Sequence, residues 1–306
     1  MIRNLTNERR YRGFSKYLQY LLARGLISVL QWVPLPVAYR LGQAFGWLFW
    51  KLDLRRREVV RANLEVINDS LSEAERSKLT IDQQVRSVFV RNGANLISGF
   101  RLLSMPVERQ LRHIKFEGME LLKQTLKEGK GAIFLLAHMG PWECTSAMMP
   151  ILERHGIKAQ IGAIYRPFNN DYLEIWYRKF RQRKGMRMIS RRDGFHKAVG
   201  HLRSGGLLAI LGDQKMREGQ ESTFFGRQVK ANPLPSVFHR SNGAPIIGVS
   251  FYQVGAYQWI FSLRPCLGVD ECRKQTRVFI AEICNQSIET SMKKSILDGF
   301  WLTPRF

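Results

Sequence analysis

Past Pro106 the chain alternates short, unbroken apolar runs with amphipathic stretches. The runs fall at 131–137, 160–165, 207–211, 245–251 and 259–263. They are too short for helices and are apolar at consecutive positions, which is the pattern of strands buried on both faces. Helical spacing fills the intervals at 143–155, 170–184, 193–204 and 232–242, and a last helix is expected over 271–294. Strands and helices in alternation predict an α/β fold, a mostly parallel or mixed central sheet flanked by helices.

Before Pro106 the pattern is helical throughout. Residues 71–104 read as an amphipathic region, with Ser70 as a candidate N-cap and Glu73 three residues on. Residues 25–39 carry no charge between Arg24 and Arg40, and the run LGQAFGWLFW follows at 41–50. Trp32, Trp47 and Trp50 sit in this stretch, which ends at Arg55-Arg56-Arg57. Tryptophan flanked by arginine suits the headgroup layer of a bilayer. A full span needs about 20 apolar residues, and Pro34 and Pro36 interrupt this one. The expectation is a membrane-seated hairpin or a single marginal span over 17–52, with two ordinary core helices as the alternative. If the segment spans, its basic flanks leave the rest of the chain in the cytoplasm. The chain divides into a helical lead, 1–105, and an α/β body, 106–306, with no convincing linker, so both are expected to pack as one unit.

Charge narrows the partners. The 306 residues carry 48 Lys+Arg against 25 Asp+Glu, a net charge of +23. Such an excess calls for an anionic partner: nucleic acid, an acidic membrane face, or an acidic or phosphorylated molecule. Cys144, Cys266, Cys272 and Cys284 have neither the number nor the spacing of a disulfide framework or a zinc site. No metal site is expected.

Reacting groups in open α/β sheets collect beyond the carboxyl ends of strands. The strand at 131–137 runs into His138-Met139-Gly140-Pro141-Trp142-Glu143. A carboxylate five residues after a histidine, across a Gly-Pro turn, can hold one ring nitrogen and leave the other to take a proton. The string alone is weak, since a histidine at a strand end is more often a satisfied hydrogen-bonder. The next strand ends in Tyr165-Arg166-Pro167-Phe168-Asn169-Asn170, where Arg166 offers a fork for phosphate or carboxylate. Arg178, Lys179, Arg181, Arg183 and Lys184 follow and read as a solvated helix face. A third strand exits through Gly212-Asp213-Gln214-Lys215.

Taken together, HMGPWE, YRPFNN and GDQ resemble the late acyltransferases of lipid A biosynthesis, within the H-x4-D/E acyltransferase superfamily. Pro141 stands where that family usually has Asn, Lys215 where it often has Asp, and the tail Trp301–Phe306 lacks the family's histidine. The resemblance implies transfer of a fatty acyl chain from an acyl carrier protein thioester to a hydroxyl of a lipid A precursor at the cytoplasmic face of a bacterial inner membrane. It implies His138 as general base oriented by Glu143, with Arg166, Asn170, Asp213 and Gln214 on the substrate. No cofactor is implied; the acyl carrier protein enters as co-substrate. The partners would be that carrier, a phosphorylated glycolipid and an anionic membrane, with no nucleic acid. Transfer to another glycolipid or to a glycerolipid, from acyl-CoA or the carrier, remains a rival, as do a basic nucleic-acid-binding protein and a membrane scaffold.

Overall fold

The computed structural model describes residues 11–191, 195–268 and 275–306. Four helices open the chain: α1 (Phe14–Leu30), α2 (Leu35–Leu52), α3 (Leu54–Ser70) and α4 (Ile81–Ser104). Ser70 closes α3 rather than capping a helix. The start of α4 is Thr80, whose hydroxyl accepts from Gln83 N while the Gln83 side chain accepts from Thr80 N. That reciprocal pair satisfies two donors an isolated helix end would leave open.

A short α5 (Val107–Gln110) leads into the body: β1 (Ile114–Glu117), α6 (Met119–Leu126) and β2 (Ala132–Leu136) come first. A 3-10 turn (Trp142–Ala147) and α7 (Met148–Arg154) follow, where the sequence suggested one helix. Then come β3 (Ile161–Tyr165), α8 (Asp171–Gln182), β4 (Arg187–Ser190), α9 (Phe195–Arg203) and β5 (Leu207–Leu211). A hairpin of β6 (Gln220–Phe224) and β7 (Arg227–Ala231) precedes α10 (Leu234–Asn242), β8 (Ile246–Gly255), β9 (Gln258–Leu267) and α11 (Arg277–Lys293). Residues 271–274, expected to begin that last helix, and Cys272 lie outside the described residues.

The seven-stranded sheet runs β1-β9-β8-β2-β5-β3-β4, parallel at every pairing except β8 with β9. The mixed, helix-covered sheet expected from the apolar runs is the one observed. Its central strands β2 and β5 are apolar at every position because both faces are buried. Ile133 and Leu135 point into one core with α3, α4, α9 and α11. Phe134 and Leu136 point into the other with α2, α4 and α7.

Helix α2 lies against α4 at backbone distance. A Cβ on Gly42 would stand 2.5 Å from Gly93 O, and one on Gly46 would stand 2.2 Å from Phe89 O. This close seat buries one edge of α2 and turns the other outward. Leu41, Phe45, Trp47 and Leu48 are exposed there, as are Leu18, Leu22, Leu26 and Val29 of α1, and Trp32 between the two helices is 86% exposed. Among the described residues no helix is long and apolar enough to cross a membrane.

Candidate active site

The pairing of β2 with β5 is in parallel register, with Leu136 opposite Leu211. Two residues beyond each partner come His138 and Asp213, so the register carries them to the same row at the same edge of the sheet. His138 Nδ1 and Asp213 Oδ1 are 2.7 Å apart. The loop that holds His138 cannot take a larger residue at its turn. Gly140 has φ +59, and a Cβ there would meet Phe251 O at 2.2 Å. From the far end of the chain, Phe300 N donates to His138 O at 2.8 Å. The rings of Trp142 and Phe300 flank the imidazole, at 5.6 and 6.3 Å between centroids.

Asp213 is buried and His138 half-buried. Burial disfavours the imidazolium, yet the charge and hydrogen bond of Asp213, helped by Glu143, outweigh it and hold the His138 pKa above its ordinary value. Burial pushes the Asp213 pKa up and His138 pulls it down, with the balance below the usual carboxylate range. The pair therefore favours an ionised Asp213 that fixes the ring with N–H at Nδ1. Nε2 is the nitrogen left for a substrate.

Glu143 is placed differently from the sequence expectation. Its carboxylate receives a two-pronged contact from Arg181 of α8, Nε to Oε2 at 3.0 Å and a terminal nitrogen to Oε1 at 2.6 Å. Asp213, not Glu143, orients the histidine. Burial lowers the Arg181 pKa, but Glu143 and Tyr177 raise it further, so it stays charged. Arg181 thus belongs to the site wall and not to the solvated face that its neighbouring cations suggest. The signal that marks it out is apolar spacing: Tyr177 and Phe180 are the buried positions of α8, and the Arg181 guanidinium lies 4.5 Å over the Tyr177 ring. Cys144, next in sequence to Glu143, is buried, and burial pushes its thiol pKa well up, which suits packing rather than nucleophilic attack.

His138, Glu143 and Arg181 line a cavity of about 800 Å³, together with Arg166, Gln214 and Lys215. Arg166 and Gln214 thus stand where a ligand could reach them. Asn170 does not. It caps α8, accepting from Leu173 N at 3.1 Å, and donates to Lys16 O of α1 at 2.8 Å. A second chamber of about 300 Å³ opens off the first; Ile164, Arg191, Met216, Asn232 and Leu234 line both. Its remaining wall is mostly apolar: Ile189, Ala198, Pro233, and the Phe195 and Phe238 rings stacked at 4.8 Å. No group of three or more side chains suited to hold a metal occurs among the described residues.

The sequence model of the family described as bacterial lipid A biosynthesis acyltransferase matches residues 6–306. The chain belongs to that family. A lipid A biosynthesis palmitoleoyltransferase of Escherichia coli K12 is 26% identical over 289 residues, covering 92% of this chain and 89% of that protein. A lipid A biosynthesis acyltransferase of Haemophilus influenzae is 29% identical, over 61% of this chain and 57% of its own length. A lipid A biosynthesis lauroyltransferase of E. coli K12 is 28% identical, over 56% and 53%. The chain thus spans little more than half the length of two of these relatives and most of the third. All three lipid A acyltransferases differ from this chain at about seven in ten of the aligned positions.

Proposed function

We propose that this lipid A acyltransferase family member moves a fatty acyl group from an acyl carrier protein thioester to a hydroxyl of a lipid A precursor, with His138 as general base. The observation that carries the reading is the His138–Asp213 contact at 2.7 Å on the wall of the large cavity. The acceptor hydroxyl gives its proton to Nε2 as its oxygen attacks the thioester carbonyl. The C–S bond then breaks, and the leaving thiolate takes the proton back from the imidazolium. Asp213 stabilises the imidazolium between the two transfers. A base placed in this way is typically worth about 10²–10⁴-fold, and holding both substrates adds more. Glu143 and Arg181 brace the wall beside the base, while Arg166 and Lys215 offer donors to a phosphate.

The apolar chamber supports an acyl donor: it meets the cavity at Ile164 and Met216, so a chain could lie in it while its carbonyl stays near His138. The outward faces of α1 and α2 support a membrane seat on the cytoplasmic leaflet. Arg24, Arg40 and Lys51 are exposed among their apolar side chains, Arg55 and Arg56 are exposed at the start of α3 just beyond, and Lys51 sits 4.3 Å over the Trp47 ring. Apolar rings with adjacent cations are what an in-plane helix presents to anionic lipid. An acidic carrier protein would meet the same positive field.

The deciding experiment incubates the purified protein in detergent with lauroyl-loaded acyl carrier protein and a tetra-acylated lipid A precursor, and reads the product by mass spectrometry. One added acyl chain is expected, lost in a folded His138→Ala variant. Acylation of a glycerolipid but not of lipid A, or full activity in that variant, would overturn the reading.

A further inference from the structure

The turn that carries His138 is held at both ends by a segment from the far end of the chain. Gly140 N donates to Asp298 O at 3.3 Å, and Phe300 N donates to His138 O at 2.8 Å. Between these bonds Met139 and Gly299 form an isolated antiparallel bridge. Residues 298–300 thus lie along 138–140, and the Phe300 ring they carry lines the cavity beside the imidazole.

A side chain roots this segment. Asp298 ends a 3-10 turn (Ile296–Asp298) and is fully buried. Its Oδ1 accepts from Asn95 Nδ2 at 3.0 Å and from Arg91 Nη1 at 3.4 Å, both of α4. Its Oδ2 accepts from Gln253 N of β8 at 2.8 Å. Each donor is itself held. Asn95 Oδ1 accepts from Trp259 Nε1 of β9 at 2.8 Å, and Arg91 also donates to Ser295 Oγ at 3.1 Å. The Gln253 side chain donates to the Tyr39 hydroxyl of α2. A further tie runs from Asn92 Nδ2 to Gly299 O at 2.9 Å. Arg91, Asn92 and Asn95 stand at the spacing that puts them on one face of α4.

A buried carboxylate costs free energy unless its oxygens are bonded, and an apolar side chain of similar volume often serves stability as well. Stability alone is therefore a weak reason for a carboxylate here. Hydrogen bonds fix distance and direction together, which apolar packing does not. The position they give residue 298 passes to the His138 turn through the two backbone bonds.

We propose that Asp298 is a positioning residue for His138. Through residues 298–300 it sets where the imidazole stands against Asp213 and against a hydroxyl in the cavity. A base misplaced by about 1 Å can lose about 10²-fold in rate, so a tie this remote is enough to matter. The inference rests on His138 being the base of the reaction proposed above.

The test uses the full chain with Asp298→Ala, Asp298→Asn and the exchanged pair Asn95→Asp/Asp298→Asn. In the exchange the amide at 298 still accepts from Gln253 N and donates to the new carboxylate at 95, which still accepts from Trp259. Acyl transfer is measured where circular dichroism shows each variant folded. His138 is followed by NMR on protein with labelled histidine, its signal assigned by loss in His138→Gln. In Asp298→Ala, kcat is expected to fall about 10²-fold with KM little changed, and the ring-nitrogen signals of His138 to move. The exchanged pair should recover most of the lost kcat and bring the His138 signals back. Wild-type kcat or unmoved His138 signals in folded Asp298→Ala overturn the proposal, as does a folded exchanged pair no better than Asp298→Asn. If Asp298→Ala does not fold, the same readings are taken on Asp298→Asn. The NMR reading needs no substrate. Moved His138 signals in a protein that transfers no acyl group would sink the functional reading alone.

Discussion

Arg181 and Glu143 meet through two parallel contacts of 3.0 and 2.6 Å, and this leaves the carboxylate five residues past His138 engaged with a cation on another helix. The orientation of the base therefore falls to Asp213, which arrives from a strand 75 residues later in the chain. Two charge pairs share one wall, with one holding the base and the other holding the wall.

The first pair predicts a pH signature. Because Asp213 raises the His138 pKa, kcat/KM for acyl transfer should climb with an acid limb above pH 6.5, the ordinary histidine value. Asp213→Asn should cut the plateau by on the order of 10²–10⁴. It should also move the limb to lower pH, since burial is then opposed only by the weaker pull of Glu143. A pH–rate profile of both proteins checks this, and a limb unmoved by the substitution rules the pairing out.

The same pair contributes to stability in a defined window. A histidine with a raised folded pKa stabilises below its unfolded value of 6.5, and that contribution fades as pH rises through the folded value. An aspartate with a depressed pKa stabilises above its unfolded value of 3.8 and loses this as pH falls through the folded one. Urea melts of the wild type and Asp213→Asn across pH 3 to 9 should differ most between those two values, the gap narrowing as pH rises through the folded His138 value and as it falls through the folded Asp213 value.

Breaking the second pair should cost fold rather than chemistry alone. Glu143→Ala strands the half-buried Arg181 cation, and a loss in unfolding free energy of at most about 3–5 kcal/mol, the figure for a fully buried pair, is expected. The double variant Glu143→Leu/Arg181→Met should recover most of that loss. Denaturant titrations of the single and double variants measure it, and an additive double variant would mean the contact carries no coupling.

Chain-length choice should follow the smaller chamber. Ala198 is buried on its wall, so Ala198→Phe should shorten the longest acyl chain accepted, and Phe238→Ala should lengthen it. Competition between carrier-bound donors from about ten to sixteen carbons reads the shift. An unchanged donor profile in both folded variants would place the acyl chain elsewhere.

The outward face of the lead makes a separable prediction. Leu22→Glu with Trp32→Glu should weaken sedimentation with anionic vesicles by at least about tenfold, with binding in the wild type falling as salt rises. Turnover on detergent-dispersed substrate should be unaffected, because neither side chain lines the cavity.

Much of the scaffold was legible because strands covered on both faces must be apolar at every position. β2 and β5 announce themselves in that way, β3, β8 and β9 through apolar stretches within them, and His138 stands at the end of the first. Strands with mixed exposure carry no such mark. The β6–β7 hairpin, with its Gln, Glu, Arg and Lys, carries none because polar side chains there face water, and β4 is too short, four residues with Arg187 and Ser190 at its ends, to stand out. The lead is helical and apolar by its pattern alone. Its glycines at 42, 46 and 93 explain which edge packs, a fact that needs both helices in view.

What the sequence determined by itself was local: the runs that make strands, the turn at Gly140 and Pro141, the excess of cations, and the set of residues able to do chemistry. Which carboxylate meets the imidazole was decided only by tertiary structure. Strand register brings Asp213 to His138, and helix packing brings Arg181 to Glu143. A hydrogen bond selects its partner by position to within a few tenths of an ångström, and that position is fixed by the pairing of segments far apart in the chain.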